Sequence, residues 1–228
     1  MFFDQLLAFA TPQSCLLCGQ TPSEAPLCSG CCRDLPSVDC ACNRCGAPGN
    51  AGGICFQCQQ NPPVYDRVTS AYRYEYPVST LIKNIKYKKR PELLRALSNG
   101  LVERIIKSAD MPDCIVPVPL HYFRLVERGF NQSLELSRLL GRQLQLPVDH
   151  GLLKRNRATV PQSSLAPEKR AMNVRRAFSL SGQPRYRCVA LVDDIITSGA
   201  TANEIARLLK NSGIKQVFVW SLAHAASG

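Results

Sequence analysis

The pattern of apolar and polar residues predicts an α/β domain in the larger, second part of the chain. Short apolar runs typical of buried strands occupy 114–118, 177–180, 187–192 and 216–223. Apolar residues recur at helical spacing, with a break at Pro91, over 78–97, 101–106, 132–146 and 201–211. Because strands and helices alternate, we expect a parallel sheet with helices on both faces.

Four further segments carry weaker patterns. Residues 65–76 are rich in tyrosine and predict an extended hairpin or an edge strand, and 148–153 predict a short strand. The segment 117–132 leaves a strand and reaches Asn131, a suitable helix N-cap, so we expect a loop there. The polar residues at 155–170 predict a long loop.

The stretch VALVDDIITSGAT at 189–201 has the residue types of a ribose-phosphate site. An apolar run leads to two adjacent carboxylates, Asp193 and Asp194. A small, hydroxyl-rich turn then opens a helix: Thr197, Ser198, Gly199, Ala200 and Thr201. Free N–H groups at a helix start attract phosphate, and carboxylates at a strand end accept hydrogen bonds from ribose hydroxyls. The alternative is an ordinarily capped helix in which Glu204 completes a capping box to Thr201. We favour the ligand site, because two carboxylates at a strand end are costly unless they bind something.

These thirteen positions resemble the pattern of type I phosphoribosyltransferases, whose fold binds 5-phosphoribosyl 1-diphosphate (PRPP). The resemblance implies that Asp193 and Asp194 hold the ribose hydroxyls and that residues 197–201 cradle the 5-phosphate. A diphosphate needs a second binding loop, and Arg124 and Arg128 are our candidates for it, with plain surface charge as the alternative. Mg²⁺ is expected to accompany the diphosphate, held mostly by ligand oxygens and water.

The long polar loop that begins at Arg155 is a candidate lid over the phosphorylated ligand. Loops of this length inside compact domains are usually functional or disordered. The side chains that we expect near the ligand are Arg157, Gln162, Arg170 and Asn173. In the alternative interpretation, Arg170 and Asn173 cap local helical structure.

Ten of the twelve cysteines precede residue 59, and eight of them form a repeat displaced by 27 positions. Two cysteines with two residues between them can bind one tetrahedral ion through both thiolates. The glycine after the first pair of each block permits a tight turn. We therefore expect two structural Zn²⁺ sites rather than a disulfide framework or an iron–sulfur centre. The expected ligands are Cys15, Cys18, Cys28 and Cys31 in the first block, and Cys42, Cys45, Cys55 and Cys58 in the second.

The grouping of these cysteines has alternatives. Cys32 could replace Cys31, and the first and third pairs could share an ion. The module contains too few large apolar residues to fold alone without metal. The sequence Asn61-Pro62-Pro63 interrupts regular secondary structure. It predicts a boundary between a double zinc-ribbon module (1–62) and a phosphoribosyltransferase-like domain (63–228).

The net charge of +11 arises after residue 62, where the chain holds 26 basic and 13 acidic side chains. This excess is larger than one small anionic ligand needs, so we expect a polyphosphate partner, single-stranded DNA. Nearby tyrosines suit base stacking. The alternative is a solvated surface whose charge neutralises PRPP. The candidate nucleic-acid contacts are Lys83, Lys86, Lys88, Lys89 and Arg90.

The chain lacks the features of a membrane or secreted protein. No apolar run approaches the roughly 20 residues of a membrane span. The first fifteen residues carry neither a basic region nor a small-residue cleavage site. We therefore expect a cytoplasmic protein.

The order of motifs resembles that of ComF/GntX-type proteins: paired-cysteine zinc ribbons, a lysine helix (LIKNIKY), RGFNQS after VPVPL, and VDDIITSGAT. The resemblance implies a bacterial cytoplasmic protein of natural transformation that handles incoming single-stranded DNA, alongside other DNA-uptake or recombination proteins. Two alternatives stay open: an active phosphoribosyltransferase with an unidentified nitrogen acceptor, and a PRPP-sensing regulator. No catalytic residue can be named, because the three histidines form no readable constellation.

Overall fold

A parallel sheet lies at the centre of the second part of the chain in the computed structural model, which describes residues 14–20, 25–49, 53–108, 110–159 and 167–225. The strands are β1 (Arg67–Arg73), β2 (Cys114–Pro117), β3 (Leu153–Arg155), β4 (Phe178–Leu180), β5 (Cys188–Ile196) and β6 (Gln216–His224). Four of these pair in parallel in the order β1-β6-β5-β2, while β3 and β4 form a separate antiparallel pair.

Helices cover both faces of this sheet. The described helices are α1 (Ser29–Arg33), α2 (Phe56–Gln60), α3 (Val78–Tyr87), α4 (Glu92–Lys107), α5 (Tyr122–Arg128), α6 (Gln132–Leu144), α7 (Pro167–Val174) and α8 (Ala200–Asn211). Of these, α3, α4 and α6 pack on one face of the sheet and α8 on the other. Side chains of β5 alternate between two cores. Ala190 and Val192 pack with Trp220 beneath α3, α4 and α6, whereas Val189 and Leu191 pack beneath α8. The parallel sheet with helices on both faces confirms the predicted α/β fold class.

The acidic pair lies inside strand β5 rather than after it. The predicted strand ended at 192, but β5 stays paired with β6 as far as Ile196, which lies opposite His224. Successive side chains of a strand point to opposite faces. Asp193 and Asp194 therefore leave the sheet in opposite directions at its carboxyl edge.

The strand predicted at 148–153 is wrong in its position. Asp149 Oδ1 accepts hydrogen bonds from the Gly151 and Leu152 N–H groups (3.1 and 2.9 Å), which turns the chain instead of extending it. The strand β3 begins only after this turn. Val148 makes one isolated parallel bridge to Ile115.

Two segments predicted as loops contain helices. Within 117–132, His121 Nδ1 accepts from the Phe123 N–H at 3.4 Å, and helix α5 follows, ending at Gly129 in the left-handed conformation. The predicted loop at 155–170 is shortened by α7, which begins at Pro167, a residue suited to the first helical position. The edge-strand interpretation of 65–76 is confirmed by β1.

The cysteine-rich module packs along the outer edge of β1. The Val38 N–H donates to the Ala71 carbonyl (3.1 Å), and the Arg73 N–H donates to the Pro36 carbonyl (2.8 Å). The Val68 N–H donates to a carbonyl of the module at 3.0 Å. These bonds satisfy backbone groups that a free edge would expose. The boundary at residue 62 stays a prediction.

Across the described ranges, none of the helices combines the length and the apolar character that a passage through a bilayer requires.

Candidate functional site

The eight repeated cysteines gather in two groups of four. Within each group, the ligand atoms all lie within 4.8 Å of one another. The groups are Cys15, Cys18, Cys28 and Cys31, then Cys42, Cys45, Cys55 and Cys58. The arrangement excludes Cys32 from the first set and excludes an interleaved pairing of the blocks. Each block forms its own four-sulfur site, as expected.

The repeat extends to the hydrogen bonds around the sulfurs. The Cys28 N–H points at Cys15 Sγ (3.4 Å), and the Cys55 N–H points at Cys42 Sγ (3.3 Å). Burial acts to raise the pKa values of Cys15 and Cys42, but such backbone donors outweigh it and lower both to about 6. Thiolates are the form that binds metal. Four converging sulfurs with N–H donors fit a structural Zn²⁺ with no open coordination position.

A cavity of about 380 Å³ opens at the carboxyl edge of the sheet. Its lining joins the phosphate loop, defined here as residues 197–201, to both carboxylates of β5. Five cationic side chains also line the cavity: Lys83, Lys86, Arg124, Arg128 and Arg155. The structure thus brings the acidic pair, a helix start and a set of positive charges into one space.

The two carboxylates have different partners. Asp194 is buried, and the Lys86 ammonium lies 2.5 Å from its Oδ2. Asp193 Oδ1 accepts hydrogen bonds from Ser133 Oγ and from the Asp194 N–H, both at 2.9 Å. Burial, followed by the charge of Asp194, raises the pKa of Asp193 to about 7. Near neutral pH Asp193 can therefore donate or accept a proton toward a ligand, while Asp194 is paired with Lys86.

The phosphate loop has the backbone geometry of an anion site. Gly199 has φ of 70° and precedes α8, whose start has no capping side chain. The N-cap of α8 is Gly199 rather than Thr201, so the alternative capping box is not formed. Glu204 instead accepts from the Arg176 N–H (2.7 Å) and pairs with Arg207 (2.9 Å). The start of α8 lines the cavity, and its N-cap residue supplies no capping side chain, an arrangement that favours a phosphate.

Arg155 is a cavity residue that our sequence analysis did not assign to the site. It is half-buried, stacks on Phe178 with its guanidinium 5.3 Å from the ring centre, and donates to Thr159 Oγ1. Arg124 donates to the Thr159 carbonyl at 3.2 Å. Burial lowers the pKa values of Arg124 and Arg155, and the positive charge of a neighbouring arginine lowers each of them further. Crowded, partly desolvated guanidinium groups suit a polyvalent anion.

Gln132 is a second cavity residue that our sequence analysis did not assign to the site. It begins α6, is 3% exposed and lines the cavity, yet its Oε1 has no hydrogen-bond partner. A buried acceptor without a partner is costly, and a ligand donor can satisfy it. As expected, Asn131 is the N-cap of α6, with its Oδ1 3.0 Å from the Ser133 nitrogen.

The described lid candidates lie outside the cavity lining. Arg157 is exposed and donates to the carbonyls of Asn173 (3.0 Å) and Arg175 (2.8 Å). Arg170 and Asn173 belong to α7. Gln162 falls outside the described residues. A lid role for these four side chains stays a prediction.

The candidate nucleic-acid contacts divide into three groups. Lys83 and Lys86 line the cavity, and Lys86 is paired with Asp194. Arg90 pairs with a neighbouring glutamate at 3.1 Å. Lys88 and Lys89 are exposed. Beside them the ring of Tyr87, 67% exposed, has a guanidinium 5.7 Å from its centre.

Comparison with known proteins finds several relatives along most of the chain. Residues 6–59 match the model of the double zinc ribbon domain family. The chain is 36% identical to Competence protein F of Haemophilus influenzae, over 87% of this chain and 90% of that protein. It is also 36% identical to DNA utilization protein YhgH of Escherichia coli, over 86% of this chain and 89% of that protein. Identity with Competence protein ComFC of Bacillus subtilis is 26%, over 75% and 72%.

Among solved structures, the chain is similar to a glutamine phosphoribosylpyrophosphate amidotransferase from B. subtilis complexed with ADP and GMP. The match has a TM-score of 0.41 and 23% identity, and covers 61% of this chain and 30% of the other. An adenine phosphoribosyltransferase from Leishmania tarentolae matches with a TM-score of 0.38 and 17% identity, over 62% of this chain and 74% of the other.

Proposed function

Because this chain belongs to the family of Competence protein F and DNA utilization protein YhgH, we propose that it handles incoming single-stranded DNA in the cytoplasm. We also propose that its cavity binds PRPP or a related ribose phosphate. The names of the relatives, which concern competence and the use of DNA, support the first part. The composition of the cavity supports the second.

One observation carries the ligand assignment: a carboxylate pair, a helix start whose N-cap is a glycine, and five cations line one cavity. Asp193 can accept hydrogen bonds from ribose hydroxyls. The phosphate loop offers backbone N–H groups to a 5-phosphate. Arg124, Arg128 and Arg155 are guanidinium groups suited to the diphosphate.

Mg²⁺ accompanies the diphosphate in this proposal. Oxygen atoms of the ligand and water are the ligands that Mg²⁺ prefers, and it takes few from protein. Asp194 is already paired with Lys86 at 2.5 Å, which leaves Asp193 as the carboxylate that would contact the ion through water. When bound, Mg²⁺ would screen the charge of the diphosphate against the carboxylates.

The DNA-binding part of the proposal uses the exposed turn after α3. Lys88 and Lys89 present charge to solvent there, and Tyr87 presents a ring on which a base can stack. Lys86 does not belong to this surface, because Asp194 holds it in the cavity.

Calorimetric titration with PRPP and Mg²⁺, with and without a short single-stranded DNA, tests both parts together. We expect saturable binding of PRPP in the wild type and a loss of at least tenfold in affinity in Asp193→Ala. Glu135→Ala, which removes a half-buried carboxylate on α6 that pairs with Arg138, serves as the matched control and should bind as wild type. Absence of heat with PRPP would reject the cavity assignment. Absence of DNA binding at low salt would reject the DNA-handling part.

The arginines at the cavity favour a second candidate, an active phosphoribosyltransferase. Arg124, Arg128 and Arg155 would stabilise the negative charge of departing diphosphate. Purified protein with PRPP and Mg²⁺ should then release diphosphate only when a nitrogen acceptor is present. If PRPP instead changes the affinity for DNA without diphosphate release, the protein is a PRPP-sensing regulator.

A further inference from the structure

We propose that the second zinc site positions the phosphate loop, and that Tyr65 is the positioning residue that connects them. The inference rests on the proposed function for the identity of the ligand. The geometry of the loop can be measured without any ligand. Among the described residues, the other zinc site, with the same four-cysteine spacing, shows no such connection, and it provides an internal control.

The second zinc site contacts the ligand edge of the sheet directly. The contact is made by the imidazole of His224 in β6. Its Nε2 lies 3.1 Å from the carbonyl oxygen of Cys45, so this nitrogen carries the proton and donates. His224 lies opposite Ile196 at the end of β5, immediately before the phosphate loop.

Tyr65 follows the last zinc ligand, Cys58, by seven residues, and its ring packs against the backbone of the phosphate loop. Its side chain is buried, with only 3% of the residue exposed. A Cβ atom placed on Gly199 would lie 2.6 Å from Tyr65 Oη, so ring and loop backbone are in close contact.

The residues on either side of Tyr65 bind the elements that follow the loop. The Val64 N–H donates to Asn203 Oδ1 of α8 at 2.7 Å. Asp66 accepts from the Val217 N–H at 2.8 Å and pairs with Lys210 of α8 at 2.9 Å. The segment 64–66 therefore holds the ring at a fixed distance from the start of α8.

The metal matters because the chain before Tyr65 has little structure of its own. Helix α2 has five residues, fewer than an isolated helix needs to persist in water, and it carries Cys58. Without the ion, α2 loses its anchor, and the segment around Tyr65 is held only by the bonds of Val64 and Asp66 to α8 and β6. The loop, whose Gly199 already adopts a left-handed conformation, then loses the packed ring that limits its motion.

The first zinc site packs elsewhere. Cys15 and Leu27 lie with Tyr72 and Leu97 in the core beneath α4, whereas Tyr65 belongs to the core beneath α8. Loss of the first ion should loosen the first ribbon and leave the phosphate loop unchanged.

Hydrogen exchange of wild type, Cys28→Ser and Cys55→Ser tests the inference. Cys28 and Cys55 are equivalent positions of the repeat, and each precedes a five-residue helix. In Cys55→Ser we expect amides 198–201 to exchange about tenfold faster, with amides 189–192 of β5 unchanged. In Cys28→Ser the loop should exchange at the wild-type rate. Equal loop exchange in the two variants would overturn the inference.

Tyr65→Leu provides the same test with every cysteine intact. It should keep both zinc ions and still speed exchange of the loop, whereas Tyr72→Leu should not. Unchanged loop exchange in Tyr65→Leu would also overturn the inference. PRPP titration of the same proteins is the separate arm: weaker binding in Cys55→Ser than in Cys28→Ser supports the coupling. Failure of wild type to bind PRPP contradicts the proposed function alone.

Discussion

Lys86 on α3 and Asp194 on β5 form a largely buried ion pair, with the ammonium 2.5 Å from the carboxylate oxygen and side-chain exposures of 16% and 8%. The pair ties a helix to the carboxyl edge of the sheet. It also separates the chemistry of two adjacent carboxylates, since one is neutralised by a lysine and the other, Asp193, has a pKa of about 7. The cavity therefore carries less negative charge than two adjacent aspartates in the sequence would suggest.

Lys86→Met should destabilise the protein. Removing one partner of a buried pair leaves an uncompensated charge, which costs about 3 kcal/mol. Urea unfolding at pH 7 measures this loss. Lys88→Met, which removes an exposed lysine two residues away, should change the free energy of unfolding by less than about 0.5 kcal/mol. Equal stability of the two variants would contradict a structural role for the pair.

The stability of the protein should depend on pH through Asp193. Its pKa rises from 3.8 to about 7 on folding, so between these values the folded chain holds a proton that the unfolded chain has released. The free energy of unfolding therefore falls as pH rises through this window, and levels off above it. The expected loss is about 1–2 kcal/mol, because partial contact with solvent screens the shift.

Asp193→Asn isolates this dependence, because the amide keeps an oxygen for Ser133 but cannot ionise. Stability curves of both proteins from pH 4 to 8 should converge at the acid end and diverge toward pH 8, with the variant higher. Parallel curves would show that Asp193 titrates at its ordinary pKa.

Arg155→Met should weaken PRPP binding about tenfold, the loss expected for one charge-assisted hydrogen bond. Ribose 5-phosphate lacks the diphosphate, so its affinity should change less than about twofold by the same reasoning. Calorimetry with both ligands measures the difference. Lys154→Met alters the exposed neighbour in the same strand and is the control. An equal loss for both ligands would assign Arg155 to cavity shape rather than to the diphosphate.

Charge reversal at Lys88 and Lys89 should weaken single-stranded DNA binding and reduce its dependence on salt. Removing one cation that binds a phosphate lowers the slope of log affinity against log salt by about 0.7 for single strands. Fluorescence anisotropy at several salt concentrations measures both quantities. Arg142→Glu, on an exposed position near the end of α6, should leave the slope unchanged. An identical effect of Arg142→Glu would mean that net charge, not this turn, attracts DNA.

Metal analysis should find two Zn²⁺ per chain, from the two four-sulfur sites. Cys31→Ser should bind one ion, because it removes a ligand, whereas Cys32→Ser should keep both. Burial raises the pKa of Cys32, which keeps it a thiol beside the site. Loss of an ion from Cys32→Ser but not from Cys31→Ser would reverse the ligand assignment.

Much of this protein follows from local patterns in its sequence. The 27-residue cysteine repeat determined two metal sites, because two thiolates with two residues between them can bind one ion through local geometry alone. The phosphate loop was predicted for a similar reason, since N–H groups and a glycine act within a few residues. Helical and strand periodicity predicted the layers of the sheet. The turn at Asp149 was missed because one side chain overrides the apolar pattern of its neighbours.

Only the tertiary structure decided which distant side chains share the cavity. Lys86 is one of six basic residues within a short segment, and no local feature distinguishes the one that meets Asp194 from those that face solvent. Arg155 and Gln132 enter the site, and Tyr65 reaches Gly199, through the packing of elements far apart in the chain. Periodicity states which face of an element is buried, but the partner on that face depends on how whole elements pack.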